Sequence, residues 1–284
     1  MGTFKGASMS EHEHWQLDGS APELYERYLV PAITSLWAAD LLERARPMPG
    51  DAVIDIACGT GVVIRLTAAR IARGHLVGLD FNAGMLAVDR TIPNAGVPIE
   101  WIEGSALSLP FGDRTFDLAL CQLGLQFFPD RPLALREMYR VLAKSGRVAL
   151  SVVSAIERTP IANAFVHALD QSLGPDASKI KRAEHIFREA DQVRTLLANE
   201  GFVQIEVNTV TQHISFPSVL DYVRFQLTAT PIASLVSHRN QMERERTIKD
   251  LASITQSLLA PELLRDGRLT SPQEGHVATA RRAD

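Results

Sequence analysis

The stretch Val53-Ile54-Asp55-Ile56-Ala57-Cys58-Gly59-Thr60-Gly61 decides the fold. The apolar run at 52–57 is the mark of a strand buried on both faces, as strands of a parallel sheet are. A turn of small residues ends it, and missing Cβ atoms there let a ligand come close to the backbone. The Pro47, Pro49, Gly50 cluster just upstream breaks a helical pattern, so the sheet starts here. Asp55 is the odd member. A carboxylate inside a buried strand costs several kcal/mol unless something pairs with it. It is therefore satisfied within its own turn or oriented toward a cationic ligand.

Working downstream, 62–72 reads as a helix and 75–79 as a second strand ending on Asp80. A helix at 83–90, strands at 99–103 and 116–121, a helix at 132–142 and a strand at 147–153 follow. Such alternation predicts an α/β fold with a doubly wound, mostly parallel sheet and right-handed crossovers. Beyond it come helical stretches at 161–173 and 190–200, a strand at 203–210, a long helical stretch at 217–264 and a short strand at 277–280. The last two strands complete a seven-stranded sheet, and the helical matter between them reads as a lid over the crevice. Upstream, Leu24, Tyr25, Tyr28, Leu29, Ile33, Leu36, Trp37 and Leu41 recur at helical spacing, with Pro31 expected to divide the segment into two helices. The expected organisation is one domain. Residues 1–8, ahead of Met9, are set aside as a leader; 9–50 form a helical N-terminal cap, 51–210 and 275–284 the ligand-binding core, and 211–274 the helical lid insertion.

At 284 residues, one α/β domain with an insertion accommodates the chain. A net charge of -4 gives no electrostatic footprint for a phosphate backbone, which argues against nucleic acid as a partner. No apolar run approaches the roughly 20 residues that span a bilayer, and no basic stretch followed by an apolar core opens the chain. Cys58 and Cys121 lie in apolar runs without metal-ligand spacing, so they read as buried free thiols in a reducing cytoplasm, and no metal site is expected.

The chemistry concentrates at the carboxyl edge of the sheet, where open parallel sheets bind ligands. Asp80, placed 25 positions after Asp55, ends the second strand, and a carboxylate there can accept both hydroxyls of a ribose. The nicotinamide fingerprint Gly-x-Gly-x-x-Gly is not met: Ile64 stands at the third place, where close helix packing needs a small residue. Three further segments follow the 55–61 loop and Asp80 in order. These are Gly104-Ser105-Ala106 with Leu109-Pro110-Phe111, Phe116-Asp117-Leu118 through Gln122, and Leu135-Arg136-Glu137 through Val141-Leu142 to Gly146.

Over 51–153 the chain resembles the class I S-adenosylmethionine-dependent methyltransferases, in the branch of quinone-biosynthesis and many secondary-metabolite enzymes. The resemblance implies S-adenosylmethionine as cofactor and a small-molecule acceptor. It places the backbone at Ala57, Gly59 and Gly61 against the methionine part, Asp80 on the ribose, Phe81 and Met85 on the adenine, and Gly104, Ser105 and Ala106 along the adenine edge. Asp55 and Gln122 complete the cofactor set, with Gln122 facing the sulfonium side. Two positions depart from the usual pattern, which has an acid where Ser105 stands and usually Gly where Ala57 stands. The run Cys121-Gln122-Leu123-Gly124 lacks the Asn or Asp followed by Pro-Pro of amino-methylating members, against nucleic-acid and protein substrates.

Methyl transfer is an in-line displacement that alignment and water exclusion accelerate, so a dedicated base is optional. His167, His185, His213 and His238 are the candidates if the acceptor must lose a proton, and none is singled out. Trp15, Tyr25 and Tyr28 can close over a cationic sulfur or simply pack the cap. The lid residues Phe216, Tyr222, Phe225 and Leu227 tilt the expectation toward a hydrophobic or aromatic acceptor, and an apolar lid stripe can equally serve a homodimer. The competing reading is a catalytically inactive protein that binds S-adenosylmethionine as a regulator or partner.

Overall fold

The computed structural model describes residues 20–284, so the 1–8 leader and Trp15 lie outside the described residues. The helix α1 (Ala21–Leu24) runs without a break through a π-helical segment, Tyr25–Thr34, into α2 (Ser35–Ala45). Pro31 therefore does not divide the cap into two helices, as the sequence predicted. A proline ring in an α-helix meets the carbonyl four residues back, and the wider π turn around Pro31 relieves that clash while its missing N–H leaves one carbonyl without its helical donor.

The core strands are β1 (Ala52–Ile56), β2 (His75–Asp80), β3 (Ile99–Glu103), β4 (Phe116–Gln122) and β5 (Leu142–Val153). They alternate with α3 (Val62–Arg70), α4 (Ala83–Asp89) and α5 (Arg131–Val141). Helices α6 (Pro160–Leu173), α7 (Lys179–Ala183) and α8 (Ala190–Asn199) lead into β6 (Phe202–Phe216). Helices α9 (Val219–Ala229) and α10 (Gln241–Ser257) then precede β7 (Leu264–Arg265) and β8 (Arg268–Arg282). The sheet order is β3-β2-β1-β4-β5-β8-β6, parallel through β5 and antiparallel where β8 joins β5 and β6. It has eight strands against the seven expected, because Leu264 and Arg265 fold back on the start of β8.

Period-two alternation assigns each face of the sheet to one side of the core. Val53, Leu118, Leu120, Ala149 and Val277 pack with Trp37 and Leu41 of α2 and Ile64 of α3. Ile54, Ile56, Ala119, Cys121, Leu150 and Ala278 pack with Met138 of α5 and Leu197 of α8. The helical segment between β6 and β8 belongs to the first of these clusters: Phe225, Ile232 and Leu251 are buried in it, and Tyr222 meets Phe165 and Phe216 edge-on at ring separations of 5.6 and 5.1 Å.

The last two strands are longer than the expected 203–210 and 277–280. They pair from Phe202 opposite Arg282 out to Phe216 opposite Leu269, so the insertion between them occupies 217–267 and not 211–274. The outer halves of this hairpin carry Thr211, Gln212, Ser215, Thr270 and Gln273, and these polar residues hide a strand from any search for apolar runs.

Candidate active site

Strand ends β1, β2 and β4 converge where the chain order reverses, and the register sets Asp55 beside Gly78 and Leu120. The turn leaving β1 needs left-handed backbone at three places: Ala57 (φ 58°), Gly59 (φ 58°) and Gly61 (φ 72°). The two glycines do different work. A Cβ on Gly61 would sit 2.3 Å from Asp89 Oδ1 and 2.5 Å from the Trp101 ring, so Gly61 packs α3 against its neighbours. A Cβ on Gly59 would meet nothing nearer than the Tyr25 ring at 3.7 Å, and Gly59 lines a cavity.

Asp80 ties this turn to β2. Its Oδ2 accepts from the Gly59 amide at 2.8 Å and its Oδ1 from the Asn82 amide at 2.8 Å, while its carbonyl accepts from Gly104 N–H at 3.0 Å. Burial pushes the Asp80 pKa up, and the amide bonds oppose that shift. Asn82 then caps α4 by accepting from the Gly84 amide at 2.9 Å.

Asp55 lies beneath the loop, fully buried and away from the cavity lining. The Ile64 backbone amide is the one donor near its carboxyl group, and neither oxygen makes a hydrogen bond of good geometry. Burial first, then the neighbouring Asp89, pushes its pKa well above the carboxylate range, with a modest opposing effect from the Ile64 amide. Asp55 thus has no open view of a ligand in the cavity, and what local support it has comes from the Ile64 amide at the start of α3. Asp89 is pushed up to about 7 by burial, against Arg65, which donates to Asp89 at 2.7 Å and to Glu26 of the cap at 2.9 Å.

The cavity measures about 380 Å³. One wall is Ala57, Gly59, Asp80, Asn82 and Met85; above it stand Tyr25, Leu29, Ile33 and Thr34 of the cap. Gln122, Leu123 and Gly124 form the end of β4. Gln122 Nε2 donates to the Thr34 carbonyl at 3.0 Å, which fastens cap to sheet, and Leu123 takes the left-handed conformation (φ 50°) directly after it. The opposite wall comes from scattered places: Gln126, Phe127 and Phe128, Val153, Lys181, Glu184 and His185, Gln226, Ala229, Thr230 and Pro231, and Gln273.

Of the residues singled out in sequence, Ala57, Gly59, Asp80, Met85 and Gln122 line the cavity. Phe81 stands 80% exposed beside it. Gly104, Ser105 and Ala106 lie off the lining; the Ser105 hydroxyl accepts from Leu107 N–H at 3.1 Å, and Ala106 is buried in the core. His167, His213 and His238 do not reach the cavity, whereas His185 does. Gln126, Gln226, Lys181, Glu184 and Gln273 went unread, since isolated polar residues scattered over separate elements carry no spacing signal. The buried Oε1 atoms of Gln122, Gln126 and Gln226 have no hydrogen-bond partner. Cys58 and Cys121 are buried free thiols, and no metal-binding cluster occurs among the described residues.

The model of the ubiE/COQ5 methyltransferase family matches residues 28–215, well over half of the chain. The chain belongs to this family. Relatives include the 2-phytyl-1,4-naphtoquinone methyltransferase of Thermosynechococcus vestitus, 43% identical over 40% of this chain and 49% of that protein. The ubiquinone/menaquinone biosynthesis C-methyltransferase UbiE of Xanthomonas campestris is 32% identical over 62% of this chain and 75% of that protein. The chain thus spans about half the length of some of the curated relatives it matches. Among solved structures, the YcgJ protein of Bacillus subtilis superposes with a TM-score of 0.56 at 18% identity, covering 88% of this chain and 99% of that one. The Haemonchus contortus phosphoethanolamine N-methyltransferase 2, solved with S-adenosylhomocysteine, gives 0.54 at 16% identity over 94% of this chain and 61% of that one. At these identities the likeness is one of fold. Together they place the chain in a family of methyltransferases built on this sheet. No described helix is long and apolar enough to cross a membrane.

Proposed function

We propose that this chain moves the methyl group of S-adenosylmethionine onto a small hydrophobic, quinone-type aromatic acceptor. The observation that carries the reading is the Asp80 carboxylate fastened to the Gly59 amide at 2.8 Å on the wall of a cavity at the carboxyl edge of the sheet. Family membership and the quinone named in the relatives above support the acceptor class.

When bound, the cofactor supplies an electrophilic methyl group on a sulfonium. The chain's own residues do the rest. Gly59, lacking a Cβ, lets the methionine part approach the backbone, and Asp80 keeps lone pairs beyond its two amide bonds for the ribose hydroxyls. Met85 on the cavity wall and the exposed Phe81 beside Asp80 flank the adenine. Leu29, Ile33, Phe127, Phe128 and Pro231 exclude water, so charge is handled in a dry site. Segment 217–267 acts as the acceptor lid. The buried thiols support a reducing, cytoplasmic setting.

The test is calorimetric titration with S-adenosylmethionine and S-adenosylhomocysteine. Micromolar binding that Asp80→Ala weakens about 100-fold, the scale of losing charge-assisted bonds plus the loop they hold, supports the site. No binding by the folded wild type would sink it. Release of S-adenosylhomocysteine with naphthoquinol acceptors then separates turnover from binding alone.

A further inference from the structure

The structure assigns His185 as the residue that takes the proton from the acceptor. This deepens the methyltransferase reading and rests on it. Five groups able to exchange a proton line the cavity among the described residues: Tyr25, Asp80, Lys181, Glu184 and His185. Four are already committed. Asp80 holds the Gly59 and Asn82 amides on the cofactor wall. Glu184 Oε2 and Lys181 Nζ lie 2.5 Å apart and spend their charges on one another. Burial raises the Tyr25 phenol above its ordinary range, so it stays protonated.

His185 is different. Its Nδ1 lies 2.8 Å from the Ser154 carbonyl oxygen, and only an N–H can approach a carbonyl that closely. The proton is therefore on Nδ1, and the lone pair is on Nε2. Ser154 is itself held, its N–H donating to the Glu274 carbonyl at 3.0 Å and its hydroxyl to Glu274 Oε1 at 3.0 Å. The ring is thus fixed in tautomer and position by a strand end, as a base must be. Burial, helped by the Lys181 charge, pushes its pKa down to about 4, so the ring is neutral at physiological pH.

A base this weak does not ionise a phenol in advance; it collects the proton when methylation has made it acidic. An electron pair of the acceptor atom forms the bond to the methyl carbon, and the carbon–sulfur bond breaks with its pair left on sulfur. The acceptor atom, now cationic, gives its proton to Nε2, and the imidazolium passes it to water as product leaves. Charge and atoms balance without a further reactant. The acceptor class is one that bears hydrogen on the atom methylated, a hydroxyl oxygen or an aromatic carbon.

Nitrogen NMR of the labelled histidines tests the tautomer without any cofactor: a protonated Nδ1 and a bare Nε2 at His185 are expected, and a protonated Nε2 overturns the proposal. His185→Asn keeps a donor for Ser154 but has no Nε2. It should keep the cofactor Kd within about twofold and lose kcat about 100-fold or more, with a smaller change in acceptor KM. His185→Ala should regain rate with added imidazole. Wild-type kcat in His185→Asn overturns the assignment alone; failure of the wild type to bind cofactor overturns the methyltransferase reading and the assignment with it.

Discussion

The two walls of the cavity are built on opposite plans. The wall at β1 and β2 satisfies itself: Asp80 closes on Gly59 and Asn82, and Asn82 caps α4. The facing wall leaves acceptors open, with Gln126 and Gln226 Oε1 buried and unpartnered, and His185 spends Nδ1 and not Nε2 on Ser154. A self-satisfied wall is rigid before any ligand arrives, whereas a wall of open acceptors is completed by a donor-bearing guest. On the proposed function, the first wall would serve the cofactor and the second the acceptor.

The harshest way to break the first wall is Gly61→Val. The left-handed conformation and the overlap with Asp89 and Trp101 act together, and a loss of about 3–5 kcal/mol is expected, read by denaturant unfolding. Gly59→Val shares the left-handed strain but not the overlap, since its Cβ would meet only the Tyr25 ring at 3.7 Å, so it should cost less stability and abolish cofactor binding in calorimetry. Equal destabilisation by both would erase the division of labour between the two glycines.

On the facing wall the largest effect is electrostatic. His185 is held neutral down to about pH 4 in the fold, against 6.5 for the free side chain. Between those values the unfolded chain binds a proton that the folded chain does not, so stability is full above pH 6.5 and falls as pH drops. The contribution is roughly 3 kcal/mol at its limit. Lys181 and Glu157 act on the ring with opposite signs, and the paired Glu184 stands beside it. His276, also lowered by burial, is present in wild type and variant alike. His185→Asn should flatten the stability slope over that window, as measured by urea midpoints from pH 4 to 7; an unchanged slope would mean the imidazole is solvated.

A milder probe of the same wall is Gln226→Leu. Replacing a buried amide whose carbonyl has no partner by an apolar side chain of similar size should leave stability within about 0.5 kcal/mol or raise it. The acceptor KM should rise about tenfold, the worth of one hydrogen bond, with cofactor affinity unchanged. A cofactor Kd that moved in step would show that the two walls serve one ligand.

The same division explains what could be read in sequence. The β1 loop and Asp80 were legible as cavity residues because a strand end, a turn and an acid at fixed spacing lie close along the chain, and Gln122, placed by resemblance, lines the same cavity. Asp55 was legible as an anomaly but not in its role, since only the packing shows Asp89 beside it and the Ile64 amide as its one nearby donor. Phe81 and 104–106 were placed by resemblance, and the structure sets them at or beyond the rim. Gln126, Gln226 and Gln273 come from elements far apart in the chain that only the tertiary fold joins. The long β6–β8 hairpin was half hidden because its outer pairs are polar on both strands.

Ala57 tests the first wall most gently. Families of this kind usually carry glycine here, and in this chain the alanine is held at φ 58°. For a residue with a Cβ that conformation costs roughly 1–2 kcal/mol. Glycine would remove the strain but loses about 0.5–1 kcal/mol to its freer unfolded state. The balance favours Ala57→Gly by up to about 1 kcal/mol, a rise of a few degrees in Tm. The Ala57 Cβ also faces Gly124 at the end of β4, where a side chain would come within 3.0 Å of it, so the substitution loosens the contact between the two strand ends. Stability should therefore rise while cofactor affinity holds or improves, because the loop amide that meets Asp80 belongs to Gly59 and is untouched. A fall in affinity would show instead that the strained alanine is what aims that amide, and that the rigidity of this wall is maintained at the expense of stability.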